Sequence, residues 1–111
     1  MENIQILYSS WCNEKGHNKV WGYFYLGADR DSHLADGTPV FVFYGAKGKA
    51  LQLKQHCIGD DLLKLVRSKE RKGYKRVYEW DFDDVCPNFY EEVEGKLTFA
   101  ILAGYKYKVA E

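Results

Sequence analysis

The sequence predicts an α+β fold: an antiparallel β-sheet of about four to five strands with one main α-helix packed on it, and a C-terminal extension that reads as a second helix. Two kinds of segment carry this prediction. KVWGYFYL at Lys19–Leu26 and PVFVFYG from Pro39 are short aromatic and β-branched runs bounded by polar or turn-forming residues. A single amphipathic 3.6-residue pattern begins at Asp60. At 111 residues the chain is long enough to bury one core and too short for two, so a single domain is expected.

Asn3 to Ser10 places Ile4, Ile6 and Tyr8 on one side of a first strand, and a polar loop runs on through Gly16. Lys19–Leu26 forms a second strand, in which Gly22 marks a bulge or the close approach of another backbone. GADRDSHLADGTP is loop by composition, and Pro39 is tolerable only as the first residue of the third strand. GAKG then makes a hairpin loop. The fourth strand, ALQLKQHC, pairs antiparallel to the third, with Leu51, Leu53 and Gln55 on one face and Gln52, Lys54 and His56 on the other.

Asp60 and Asp61 stand where an N-cap and first-turn acids belong. Leu62, Leu65, Val66 and Lys69 follow at helical spacing until Gly73 ends the run, leaving Lys64, Arg67 and Arg71 on the exposed face. Tyr74–Trp80 alternates and is expected to add an edge strand. Beyond it, Phe89, Val93, Leu97 and Ile101 recur four apart between Pro87 and Gly104, which favours a helix, while Gly95 and LTFAIL favour a strand. The helix is the preferred reading.

Apolar residues make up 46% of the chain and charged residues 29%, the composition of a folded protein rather than a disordered segment. No apolar run approaches the roughly 20 residues that cross a bilayer, and MENIQILYSS has neither a basic leader nor a cleavage site, so no membrane association or export is expected. Cys12, Cys57 and Cys86 are widely spaced without a C-x-x-C pair, which indicates neither a disulfide framework nor a zinc cluster and fits a cytoplasmic protein.

Several chemistries are disfavoured by residue type and spacing. GAKGKA is too short for a phosphate-binding loop and has Ala50 where a Ser or Thr would reach magnesium. His56 and Cys57 are adjacent on a strand and point to opposite faces, so a buried structural Cys57 is expected rather than a thiolate and base. His17, His33 and His56 lack metal-ligand spacing, and DFDD at Asp81–Asp84 lacks the glycine and terminal glutamate of a calcium loop. No catalytic residue, cofactor or metal site is therefore expected, and the chain reads as a binding module rather than an enzyme.

The net charge of zero conceals strong segregation. Lys and Arg dominate from Lys47 to Arg76, and the acids of Glu79–Glu94 are interrupted by no Lys or Arg. Interleaved with rings, the basic segment makes the main functional signal: Tyr44, Lys47, Lys49, Arg67, Lys69, Arg71, Lys72, Lys75 and Arg76 are the candidate nucleic-acid contacts. Lysine and arginine neutralise phosphates and release counterions, and a flat ring stacks on an exposed base or sugar. The alternative is a protein-interaction or self-association module whose acidic tail meets a partner's basic patch. Exposure of Tyr23, Tyr25, Tyr44 and Tyr74 as one patch would favour a protein partner, and their burial a purely structural role.

The order of these features resembles the WGR domain, a small module of DNA-dependent poly(ADP-ribose) polymerases and of bacterial proteins. The resemblance rests on NKVW at Asn18–Trp21, VFYG at Val42–Gly45 followed by Gly48, and SKERKGYKRV at Ser68–Val77, and it covers about the first three quarters of the chain. It implies a sheet with one helix packed across it and a DNA-contacting turn, hence DNA rather than RNA. Tyr44 stands at the Trp position of the family's W-G-R turn and Gly45 at its Gly. Ala46 stands at the Arg position, which removes the planar donor fork suited to phosphate. A neighbouring Lys47 or Lys49 supplies charge without bidentate geometry.

Overall fold

The computed structural model describes residues 4–14, 16–26 and 34–102, with 97–102 described by backbone alone. Strands β1 (Ile4–Cys12), β2 (Lys19–Leu26), β3 (Pro39–Ala46) and β4 (Gln52–Cys57) precede helix α1 (Asp60–Arg71). A short strand β5 (Lys75–Arg76), a 3-10 turn (Glu79–Asp81), and helices α2 (Phe82–Val85) and α3 (Phe89–Leu102) follow. The strands form one sheet of five in the order β4-β3-β2-β1-β5, every neighbouring pair antiparallel. The fold is α+β, and α3 settles the choice between helix and strand after Pro87 in favour of helix. Asn3, His33, Gly104 and part of the loop after β2 lie outside the described residues.

Helices cover the sheet on both faces. Trp21, Tyr25, Val40 and Val42 point to one face and bury Leu62 of α1, with Val66 and Tyr74 packed at the margin. Val20, Phe24, Leu26, Phe41 and Phe43 point to the other and pack against Phe82, Val85, Cys86, Phe89 and Val93. This double burial is why β2 and β3 read as nearly continuous apolar runs instead of alternating ones. Phe89 is the keystone of the second face, its ring edge-on to Phe43 at 4.9 Å, Phe82 at 5.0 Å and Phe24 at 5.9 Å. The segment from Phe82 to Glu94, acidic in sequence, is thus amphipathic in space, with Phe82, Val85, Cys86, Phe89 and Val93 in the core and Asp83, Asp84, Glu91 and Glu94 exposed.

Gly22 is a point of close approach. A Cβ there would overlap the Tyr8 carbonyl oxygen of β1 and the Phe43 ring of β3, beside the register shift that β1 makes between Ile6 and Tyr8. Three expectations are corrected. The N-cap of α1 is Gly59, so Asp60 and Asp61 both serve as first-turn acids and neither caps through its side chain. Leu65 is exposed, because Leu62 alone of the helix is fully buried and α1 meets the sheet along a narrow stripe. The edge strand is only Lys75–Arg76. After Val77 N donates to Ser9 O at 2.8 Å, the chain closes the 3-10 turn, Asp81 N to Tyr78 O at 2.9 Å, and carries Phe82 into the core.

Candidate nucleic-acid interface

Strand direction gathers the basic residues at one end of the molecule. The register aligns Cys12 of β1 with Lys19 of β2, and Lys19 with Ala46 of β3, so all three mark the same end of the sheet. The β3–β4 turn with Lys47 and Lys49 lies just beyond it. Strand β4 runs back to the opposite end, where Cys57 pairs with Pro39, and α1 starts there and returns. Its last residues therefore arrive beside Cys12, whose Sγ is 3.8 Å from the Lys72 carbonyl oxygen. Lys19, Lys47, Lys49, Lys69 and Lys72 come from three separate segments and share one end of the fold.

The end of α1 has its own local cause. Gly73 adopts φ 100°, and Gly73 N bonds Glu70 O while Tyr74 N bonds Lys69 O, each at 3.1 Å. This paired arrangement is a Schellman stop, which turns the residue after the glycine back over the last helical turn. The result places Lys69 Nζ 5.3 Å from the centroid of the Tyr74 ring. Burial lowers the Lys69 pKa from the ordinary lysine value, and the charges of Lys72 and Lys19 lower it further. Both charges have its own sign, and the Glu14 carboxylate beside Gly73 is the acid that borders them.

Tyr44 shares the α1 side of the sheet with Trp21, its register partner, and with Ala46 and Lys19 one pair further on. It is 37% exposed, whereas Tyr25 is buried and Tyr23 and Tyr74 are half-buried. The four tyrosines therefore do not make one exposed patch. The exposed Ala46 faces Lys19 across the ladder, which puts an ammonium, not a guanidinium, at that position of the sheet.

The turn lysines have different company. Lys47 N donates to Asn18 O at 2.9 Å, Trp11 Nε1 donates to Asn18 Oδ1 at 2.6 Å, and Lys47 Nζ sits 4.5 Å from the Trp11 ring centroid. Trp11 packs on the face that α3 covers. Lys47 and Lys49 line a cleft of about 530 Å³ together with Glu91 and Glu92, and the Glu92 carboxylate accepts from the Leu51 backbone N–H. Glu91 and Glu92 thus border the hairpin half of the basic end, and the Glu14 carboxylate stands beside Gly73 at the helix half. Cys86 lies in the same cleft, its thiol pushed up to about 11 chiefly by burial and secondarily by Glu92, with Lys47 opposing, so it is protonated at neutral pH.

Arg67 and Arg71 are exposed on the outer face of α1. Lys75 and Arg76 both line a cleft with Glu14, Asp81 and Asp84, and the guanidinium of Arg76 also lies 5.8 Å from the ring of Tyr8 and 5.4 Å from that of Tyr78. Sequence reasoning overlooked Lys19, because only the strand register brings it to the α1 end. It also overlooked Tyr78 and Trp80, which the expected edge strand would have placed in the sheet. Cys57 is exposed rather than buried, since it closes edge strand β4 at the end of the sheet. Among the described residues no His, Cys, Asp and Glu side chains gather into a metal-holding group, and no helix is long and apolar enough to cross a membrane.

No protein family, curated protein or solved structure matches the chain.

Proposed function

We propose that this domain is a non-catalytic, WGR-like nucleic-acid-binding module that holds phosphates at the end of the sheet where α1 terminates. The observation that carries the reading is that strand register and the return of α1 bring Lys19, Lys69 and Lys72 to one end of the sheet, with the Lys69 ammonium over the Tyr74 ring. Ammonium groups gathered against their mutual repulsion raise the local potential, and a phosphate chain relieves it by entering as their counterion. Tyr44 stands on the same side of the sheet and offers a ring to a base or sugar at a strand end. Arg67 and Arg71 extend the phosphate track along the outer face of the helix. Lys47 and Lys49 approach from the hairpin, in a cleft they share with Glu91 and Glu92.

Ammonium groups contact phosphate as point charges, so binding is largely independent of sequence, and the resemblance to the WGR domain favours DNA over RNA. The test is fluorescence anisotropy with labelled single-stranded DNA, blunt duplex bearing a 5′-phosphate, and RNA at several salt concentrations. Salt-steep binding that Lys69→Ala with Lys72→Ala weakens and flattens supports the reading. Absence of binding at low salt overturns it.

A further inference from the structure

A second surface lies along the outer edge of β1, away from the lysine corner. Tyr78 and Trp80 stack with ring centroids 5.1 Å apart and planes only 6° from parallel. The Arg76 guanidinium lies over the Tyr78 ring at 5.4 Å and over Tyr8 at 5.8 Å. Trp80 is 77% exposed and Tyr78 49%, so the largest ring on this ledge shows much of its area to solvent. An indole costs hydration when left uncovered, and its stacking on Tyr78 gives it a defined orientation before any partner arrives.

The charge around the ledge selects the partner. A cleft of about 710 Å³ runs beneath it, lined by Ile4–Ser9 and by Arg76, Glu79, Trp80 and Asp83. Its carboxylates outnumber its one base, and that base is already engaged with two rings. Asp81 and Asp84 lie in the adjoining cleft across β5. Phosphates are repelled by this surround, whereas a cation is drawn to the carboxylates and to the negative face of the indole together. A guanidinium suits both at once, because it is planar, stacks on a ring and accepts a bidentate carboxylate.

We propose that the Tyr78–Trp80 ledge docks a basic protein segment by stacking one of its arginines on Trp80, with Glu79 and Asp83 as the paired carboxylates. This site is independent of the phosphate-binding reading, and either stands if the other fails. It gives the exposed acids from Glu79 to Asp84 a recognition role that net charge alone conceals.

The experiment titrates the whole chain with a synthetic peptide of alternating glycine and arginine, and with the same peptide carrying lysine or citrulline in place of arginine. The readouts are the Trp80 indole N–H resonance and tryptophan emission. The arginine peptide shifts the Trp80 resonance and binds more tightly than the lysine peptide, and the uncharged citrulline peptide binds least. Trp80→Ala weakens the arginine peptide by about tenfold, the ratio that corresponds to a desolvated cation–π contact of about 1.4 kcal/mol. Its thermal midpoint stays that of the native chain, as the exposure of the side chain requires. Lys69→Ala with Lys72→Ala leaves peptide binding unchanged. Equal affinity of Trp80→Ala and the native chain for the arginine peptide overturns the proposal, as does equal binding of arginine and lysine peptides. A shift of the Trp80 resonance by single-stranded DNA and not by the peptide also overturns it, making the ledge a base-stacking surface.

Discussion

The ammonium of Lys69 lies 5.3 Å from the ring centroid of Tyr74, and the helix stop at Gly73 is what brings them together. Replacing Gly73 tests that dependence. Its φ of 100° is costly for any side chain, and a Cβ would press on the Glu14 carboxylate and approach Cys12 Sγ. Gly73→Ala is expected to destabilise the fold by about 1–2 kcal/mol in urea denaturation, and to weaken nucleic-acid binding by displacing Lys69 without removing a charge.

Lys69 is expected to lose its proton before an ordinary lysine, because burial and its two cationic neighbours disfavour the charged form. A lysine whose folded pKa is depressed opposes folding while charged, and its relief arrives as pH rises through the folded value. A bound polyanion reverses the shift. Carbon-13 titration of the lysine side-chain methylenes reads both effects, and an upward movement of the Lys69 midpoint on adding duplex DNA is the expected result.

Removing cationic side chains changes the salt dependence as well as the affinity. The double variant Lys69→Ala with Lys72→Ala is expected to reduce the slope of log K against log salt by about 0.9 for each duplex phosphate that the chain no longer neutralises. Glu92→Gln should act oppositely and more weakly, since it removes a carboxylate from the cleft that Lys47 and Lys49 line. Anisotropy across a salt series separates the two.

Gly22 and Phe89 both report on the packing around Phe43, on the face of the sheet that α3 covers. Gly22→Ala forces a methyl against the Tyr8 carbonyl and the Phe43 ring and should cost about 2–3 kcal/mol. Phe89→Ala leaves a cavity among Phe24, Phe43 and Phe82 and should cost about 3–5 kcal/mol. Chains ending before Phe82 lose that whole layer and should fail to give a cooperative thermal transition.

The cysteines should separate by reactivity. At neutral pH iodoacetamide is expected to modify the exposed Cys57 in the native protein and to reach buried Cys12 and Cys86 only after unfolding, as mass spectrometry of the digested chain would show. Cys86 also carries a pH signature. Its thiol is raised from 9.0 to about 11, so its contribution to stability is intact below the unfolded value and is lost as pH climbs between the two.

Local periodicity was enough to identify β2, β3 and α1, and Gly73 as the residue that stops α1, because doubly buried strands, a helical stripe and a positive φ each impose residue types on neighbours in the chain. The same pattern placed the helix after Pro87. It could not reveal that Phe82, Val85, Phe89 and Val93 form the second layer of the core, since the acids between them dominate the local composition. Nor could it sort the basic residues. Lys19 reaches the same end of the sheet as Lys69 through strand register and the direction in which α1 recrosses the sheet, Lys75 and Arg76 pair with Trp11 and Ser10 across β1, and Trp80 is exposed because the chain leaves the sheet edge at Val77. Periods of 2 and 3.6 residues are properties of a segment, whereas the meeting of charges and rings depends on how segments are ordered and packed.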